Sequence, residues 1–134
     1  MQFTKIQNNK QYAKLVFLGE SGAGKTTTAC YVASGLVGAG GTIGFIDTEN
    51  SACYFEDYFH SQNITLLSNG ERQPATFKEL VNGINDLIVN HKVDCIILDS
   101  ITWVGDQLID NSVLEMQNKK LIAKGKAKRE ELSY

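Results

Sequence analysis

The fold of this chain is decided by the stretch Leu15-Val16-Phe17-Leu18-Gly19-Glu20-Ser21-Gly22-Ala23-Gly24-Lys25-Thr26-Thr27. It consists of an apolar run, a glycine, four further residues and then the sequence Gly-Lys-Thr. The pattern G-x-x-x-x-G-K-[ST] is typical of a loop that joins a buried strand to a helix and wraps a phosphate with backbone N–H groups. The sequence therefore predicts a site for a nucleoside triphosphate.

The residue types of this loop suit phosphate binding. Glycine allows backbone conformations and a close approach that a Cβ atom would block. Lys25 is expected to reach the β- and γ-phosphates, and the hydroxyl of Thr26 to bind Mg²⁺. The alternative is a glycine-rich turn that matches by accident, but the apolar run before it and the helix-compatible stretch after it favour the phosphate site. The predicted cradle consists of Gly19, Glu20, Ser21, Gly22, Ala23, Gly24, Lys25, Thr26 and Thr27.

The composition indicates one globular domain that needs no membrane. The chain has 134 residues, of which 43% are hydrophobic and 21% charged. Its apolar runs are far shorter than the ~20 residues that span a membrane, and its N-terminus lacks the apolar core of a signal peptide. Three cysteines without a C-x-x-C pair predict reduced thiols and a cytoplasmic location.

Charge divides the chain into two parts. Residues 1–118 carry seven basic and 13 acidic side chains, whereas residues 119–134 carry six basic and two acidic ones. We expect a nucleotide-binding domain over residues 1–118. Residues 119–134 are predicted to be a basic tail that is disordered or begins a further region. Its basic residues have two interpretations. They contact phosphates, either of a nucleic acid or of a neighbouring subunit's nucleotide, or they form a solvated helix end, which is the commoner role of a charge run.

Strands and helices alternate along the sequence. Strands are predicted at residues 14–18, 42–46, 64–67 and 93–98, with a further short strand at residues 3–6. Helices are predicted at residues 24–37, 51–59 and 105–122, and from a capping-box pattern beginning at Thr76. Such alternation implies right-handed crossovers and a mainly parallel sheet covered on both faces, a three-layer αβα sandwich.

Polar residues follow three of the predicted strands, at the sheet edge where α/β proteins bind ligands. Asp99 ends the apolar run before it and is expected to sit beside the metal ion, although such an aspartate can also cap the next helix. Glu49 follows the strand at residues 42–46 and is expected to hold the attacking water as a general base. The alternative for Glu49 is a solvated loop acid, or a cap of the helix at Ser51.

These motifs carry a family resemblance. Residues 14–27, the motif Asp47-Thr48-Glu49 and the motif Asp99-Ser100-Ile101-Thr102 resemble the RecA-like branch of P-loop ATPases. They are most similar to the phage-encoded ATPases of that branch associated with recombination and single-strand annealing. The resemblance covers about residues 12–104. It implies ATP and Mg²⁺ as cofactors, Glu49 and Lys25 as catalytic residues, and Thr26 and Asp99 as metal ligands. Single-stranded DNA, a homo-oligomer and the cytoplasm of a bacterial host are implied with it.

The chain departs from this family in its C-terminal half. The RecA-like core has two further strands after the metal-side aspartate, and one of them lies between the P-loop strand and the strand at residues 93–98. The sequence ends before supplying them. We therefore expect a fragment of a longer protein, a rearranged sheet, or a slot filled by another chain or by the N-terminal segment.

Three functions compete at this point. The first is a Mg²⁺-dependent ATPase acting in DNA recombination or annealing. The second is a small-molecule kinase, for which the chain offers only Arg72 and Arg129 as lid arginines. The third is a module that binds ATP for assembly without turnover. A GTPase is disfavoured because Asn118-Lys119-Lys120-Leu121 lacks the aspartate of an N-K-x-D motif.

Arg72 is also a candidate arginine finger in trans, and the aromatic residues at 54–59 and 103 fit core packing better than base stacking.

Overall fold

The computed structural model describes residues 12–70, 74, 76–123 and 125. The predictions for residues 3–6, for Arg72 and for the tail beyond residue 125 lie outside this part. The helices are α1 (Lys25–Val37), α2 (Glu56–Ser61), α3 (Phe77–Val89) and α4 (Ile101–Ala123). The strands are β1 (Thr42–Asp47), β2 (Thr65–Ser68) and β3 (Cys95–Asp99), and a 3₁₀ helix over Ala52–Phe55 precedes α2.

The strands form a parallel sheet in the order β2-β1-β3. In the pairing of β1 with β3, Ile43 lies opposite Cys95 and Asp47 lies opposite Asp99. The two strands therefore end at the same level, with their last aspartates side by side. The predicted α/β class with a parallel sheet is confirmed, and each of the predicted strands at residues 42–46, 64–67 and 93–98 has a counterpart.

Helices cover both faces of this sheet because successive strand side chains point to opposite sides. Ile43, Phe45 and Ile97 pack on one side against Cys30 and Ala33 of α1, together with Phe59 of α2. On the other side, Ile46, Ile96 and Leu98 pack with Leu80, Ile84 and Leu87 of α3. The central strand β1 is thus buried from both directions, which fixes its end in place.

The prediction of a strand at residues 14–18 is wrong. The segment is not part of the sheet, and Leu15, Val16 and Leu18 are 58%, 75% and 89% exposed. A cleft of about 410 Å³ is lined by this segment, by α1 and by β3. An apolar run becomes a buried strand only where a neighbouring strand accepts and donates its backbone hydrogen bonds. Within the described residues, the segment has no such neighbour.

Two predicted helix ends are confirmed, the start of α3 and the end of α1. Thr76 caps α3, since its Oγ1 accepts a hydrogen bond from the Glu79 N–H at 3.2 Å. Gly38, with φ of 72°, ends α1 where predicted. The buried face of α1 consists of Cys30, Ala33 and Ser34, whereas Leu36 is 61% exposed.

Helix α4 begins four residues before its predicted start at residue 105. It continues without a break across residues 118 and 119, where the predicted domain meets the predicted basic tail. Along the described part of the chain, no helix combines the length and apolar character needed to cross a membrane.

We expect Gly44→Ala to destabilise the fold. A Cβ atom at this position would lie 2.7 Å from Cδ1 and 3.2 Å from Cγ of Leu87, so Leu87 would have to leave its packed position between α3 and the sheet. Overpacking of this kind costs about 1–3 kcal/mol. The free energy of unfolding in urea measures the effect.

Gly83→Ala is the matched control. This glycine lies within α3, and a Cβ atom there meets nothing within 4 Å. Its replacement should stabilise the protein by about 0.5–1 kcal/mol, since alanine is the better helix former. Equal unfolding free energies for the two variants would contradict the close contact between β1 and α3.

Candidate nucleotide-binding site

The predicted phosphate loop adopts a tight turn between residue 19 and the start of α1. The Ala23 N–H donates to the Glu20 carbonyl at 3.2 Å. Gly22 and Gly24 have φ values of 78° and 80°, in the left-handed region that side chains with a Cβ atom rarely adopt. The spacing of the two glycines is therefore a requirement of the loop's shape.

The N-terminus of α1 opens directly onto this loop. Gly24 caps the helix without a side-chain hydrogen bond, and the first turn contains no acidic residue. The first N–H groups of a helix carry a partial positive charge and attract anions. Neither a capping side chain nor a first-turn carboxylate of α1 competes for those groups, which suits a phosphate.

Lys25 is held over the loop. Its Nζ donates to the Glu20 carbonyl at 2.8 Å, while the side chain remains partly accessible to solvent. A lysine ammonium binds phosphate as a compact point charge. The loop thus places a cation beside its own backbone N–H groups.

Thr26, at the start of α1, contacts Asp99 directly. The Thr26 Oγ1 donates to Asp99 Oδ2 at 2.7 Å, although the two residues are 73 positions apart in sequence. Asp99 is buried at the end of β3. Both residues were predicted to be ligands of one metal ion, and in the structure they are in contact.

This pair of oxygen donors fits Mg²⁺. The ion prefers hard oxygen ligands, keeps several waters, and is commonly held by one or two carboxylates together with substrate phosphates. Among the described residues there is no group of three or more His, Cys, Asp or Glu side chains that could hold a metal alone. A site made of Thr26, Asp99 and nucleotide phosphate requires no such group.

Asp47 organises the loop that follows β1. Its buried carboxylate accepts the Glu49 N–H on Oδ1 at 3.0 Å and the Ala52 N–H on Oδ2 at 2.7 Å. Asn50 adopts φ of 56°, a left-handed conformation that asparagine tolerates better than most residues. The chain therefore turns back on itself, and the 3₁₀ helix starts beside the end of β1.

Ser51 lies between the two strand-end aspartates. Its Oγ is 3.0 Å from Asp99 Oδ2 and 3.4 Å from Asp47 Oδ1. Thr48 adds a second connection, because its N–H and its hydroxyl both donate to the Asp99 carbonyl, at 2.7 Å and 3.0 Å. The Ser100 N–H in turn donates to Thr48 Oγ1 at 2.8 Å. The ends of β1 and β3 are thus joined through backbone and side chains.

Asn69, just beyond β2, fastens the end of β1 from its other side. Its Oδ1 accepts the Asp47 N–H at 2.6 Å, and its Nδ2 donates to the Asp47 carbonyl at 3.0 Å. The side chain thus continues the hydrogen-bond ladder past the last residue of β2. Asn69 was not among the predicted site residues. The available signal was a polar residue directly after a strand that pairs with β1.

Glu49 lies two residues beyond β1, at the sheet edge that also carries Asp99, and its side chain is exposed. The structure therefore brings the phosphate loop, Asp99 and the Glu49 backbone to one edge. Asp47, Thr48 and Ser51 were not among the predicted site residues, yet their hydrogen bonds hold this edge together. Their polar character after a buried strand was the signal available.

Cys30 is buried close to the site, and its thiol is unreactive. Burial, together with the negative charges of Asp99 and Asp47, raises the pKa of its thiol to about 12. Because the thiolate is the reactive form, the protonated thiol acts as a small apolar core residue.

The structure describes some of the aromatic and basic residues that the sequence offered as candidates. Tyr58 packs edge-on against Tyr31 and Phe59, with ring centroids 4.9 Å and 5.4 Å apart, and Phe59 is fully buried. Tyr54, in contrast, is 82% exposed. Of the basic cluster, Lys119 and Lys120 lie exposed near the end of α4, and the others lie outside the described residues.

No protein-family model, curated protein or solved structure matches this chain. The resemblance to RecA-like ATPases therefore stays a prediction from the motifs. The spacing and geometry of the site's own residues are what indicate its ligand.

We expect Asn69→Ala to destabilise the protein by about 1–3 kcal/mol, because the N–H and carbonyl of Asp47 lose the amide that pairs with them. Asn82→Ala, at an exposed position on α3, is the matched control and should change stability by less than about 0.5 kcal/mol. Thermal unfolding measures both. A loss no larger than that of the control would show that Asn69 is dispensable for the end of β1.

Proposed function

We propose that this chain is a Mg²⁺-dependent ATP-binding protein and an ATPase of the RecA-like type. The observation that carries the proposal is the 2.7 Å contact between Thr26, at the start of α1, and Asp99, at the end of β3. It joins the hydroxyl of the G-x-x-x-x-G-K-T motif to a strand-end carboxylate, the pair of protein ligands that a magnesium nucleotide needs.

In this proposal the loop and Lys25 bind the phosphates. The backbone N–H groups from residue 22 onward and the N-terminus of α1 hold the β- and γ-phosphates, and the Lys25 ammonium exchanges the Glu20 carbonyl for a phosphate oxygen. Thr26 and Asp99 hold the metal ion. The bound Mg²⁺ would neutralise charge that develops on the phosphate oxygens.

Glu49 is assigned the role of orienting the attacking water. Its exposed side chain follows the buried end of β1, whose register with β3 sets it at the same edge as Asp99. Phosphoryl transfer needs little covalent chemistry from the protein, so positioning of the water is the main task left to a side chain.

DNA recombination or single-strand annealing is the proposed process. It is supported by the resemblance of the Asp47-Thr48-Glu49 and Asp99-Ser100-Ile101-Thr102 motifs to phage-encoded ATPases. Lys119 and Lys120, exposed on α4, would add phosphate contacts. Single-stranded DNA and further copies of the chain are the proposed partners.

A nucleotide-binding module without turnover is the second candidate. It is favoured by the exposure of Leu15, Val16 and Leu18 directly before the phosphate loop. Contiguous exposed apolar side chains are typical of surfaces that another polypeptide covers. In such a module, nucleotide in the loop would control assembly.

Lys25→Ala should weaken ATP binding by roughly 10- to 100-fold, the equivalent of one charge-assisted hydrogen bond. Lys78→Ala removes an exposed lysine in the first turn of α3 and should leave the affinity unchanged. Isothermal titration with Mg²⁺–ATP gives both dissociation constants. Undiminished ATP binding by folded Lys25→Ala protein would overturn the assignment of the loop.

Glu49→Gln should lower kcat for phosphate release by about 10²- to 10⁴-fold, the usual contribution of a general base. ATP affinity should be nearly unchanged, because the backbone N–H of residue 49 still reaches Asp47. Glu56→Gln, at an exposed position in α2, is the control.

Release is measured with and without single-stranded DNA, and we expect DNA to stimulate the wild type. Tight ATP binding with no release by the wild type or by Glu49→Gln would replace the ATPase by the binding module.

A further inference from the structure

The Ser51 hydroxyl faces two carboxylates but has one proton to donate. Its Oγ lies 3.0 Å from Asp99 Oδ2 and 3.4 Å from Asp47 Oδ1. A hydroxyl donates a single hydrogen bond, so it serves one of these oxygens at a time. At the distances in the structure, Asp99 is the preferred acceptor.

Both acceptor oxygens have a second donor, and these donors belong to different parts of the site. Asp99 Oδ2 also accepts the hydroxyl of Thr26 at 2.7 Å. Asp47 Oδ1 also accepts the N–H of Glu49 at 3.0 Å. A chain of hydrogen-bonded groups therefore runs from the start of α1 to the backbone of residue 49.

Ser51 cannot move away from this position at low cost. The next residue, Ala52, is anchored by its N–H to Asp47 Oδ2 at 2.7 Å, and the preceding Asn50 is in a left-handed turn. The donors to the Asp47 and Asp99 carboxylates are the hydroxyls of Thr26 and Ser51 and two backbone N–H groups. Within this part of the chain, the two strand-end carboxylates are thus held by hydroxyl and N–H groups.

We propose that Ser51 and Asp47 are positioning residues that couple occupancy of the Thr26–Asp99 site to the loop carrying Glu49. This inference rests on the function proposed above. When Asp99 and Thr26 turn their oxygens to a magnesium nucleotide, Asp99 Oδ2 becomes a poorer acceptor for Ser51. The Ser51 hydroxyl then donates to Asp47 Oδ1, the oxygen that also holds the Glu49 N–H, so the Glu49 backbone responds to the state of Asp99.

Ser51→Ala is the informative variant. It removes the shared hydroxyl but leaves both hydrogen bonds that the backbone N–H groups of residues 49 and 52 donate to the Asp47 carboxylate. Ser51→Thr keeps the hydroxyl and is the rescue variant. Ser61→Ala removes an exposed serine hydroxyl that bonds only locally, to the Tyr58 carbonyl, and is the matched control.

The experiment records ¹⁵N amide shifts while Mg²⁺–ATPγS is added. In the wild type, the amides of Gly22 and Gly24 should shift on binding, and those of Glu49 and Ala52 should shift with them. In Ser51→Ala, the glycine amides should still respond, whereas the shift changes of Glu49 and Ala52 should fall to less than half. Ser51→Thr should restore them, and Ser61→Ala should match the wild type.

Turnover provides a second readout. Loss of the hydrogen bond from the Ser51 hydroxyl to a carboxylate should lower kcat of Ser51→Ala by roughly 10- to 100-fold with KM little changed. A defect confined to folding would instead reduce the active fraction and leave the glycine shifts incomplete.

The outcomes separate the two proposals. A wild type that gives no shifts at Gly22 and Gly24 would overturn both the proposed function and this coupling. A Ser51→Ala variant that binds ATPγS with unaltered shifts at Glu49 and Ala52 would overturn the coupling alone. Shift loss at these two amides supports the coupling even if the chain releases no phosphate.

Discussion

The parallel pairing of β1 with β3 is the constraint on which the site depends. Because Asp47 lies opposite Asp99, two strands that are far apart in sequence end at one level and present their carboxylates together. The pairing is fixed by burial on both sides of β1, where a slip of one residue would send Phe45 and Ile46 to the wrong faces. The core thus determines the positions of the polar residues at its edge.

Around this edge, polar groups replace the regular ladder where the strands end. Thr48 bonds the Asp99 carbonyl, Asn69 bonds both backbone groups of Asp47, and the Asp47 carboxylate holds the following turn. Unpaired backbone groups in such a place would cost about 1–3 kcal/mol each. The same side chains that prevent this cost also leave Asp99 in reach of Thr26 and Ser51.

The parts of the structure that depend on local chemistry could be predicted from the sequence. The glycine spacing of the loop, the cap at Thr76 and the apolar strand before Asp99 each reflect neighbouring residues, and each has its counterpart in the structure. The apolar run at residues 14–18 has the local character of a strand, but its place in a sheet requires a partner that local pattern does not specify. The connections of Ser51 and Asn69 were missed for a related reason: they depend on the register between strands, which no single segment encodes.

The position of β3 in the sheet has a further consequence for the behaviour of the protein in solution. Among the strands that the structure describes, β3 lies at one side of the sheet and has no partner strand beyond it, and its sequence Cys95-Ile96-Ile97-Leu98 is apolar throughout. An apolar strand with an open edge is a template for backbone pairing with another chain, and such edges are where aggregation starts. The strand that ends in Asp99 is therefore also the strand whose backbone edge we expect to govern self-association, so substitutions of its apolar residues should be checked for solubility as well as for nucleotide binding.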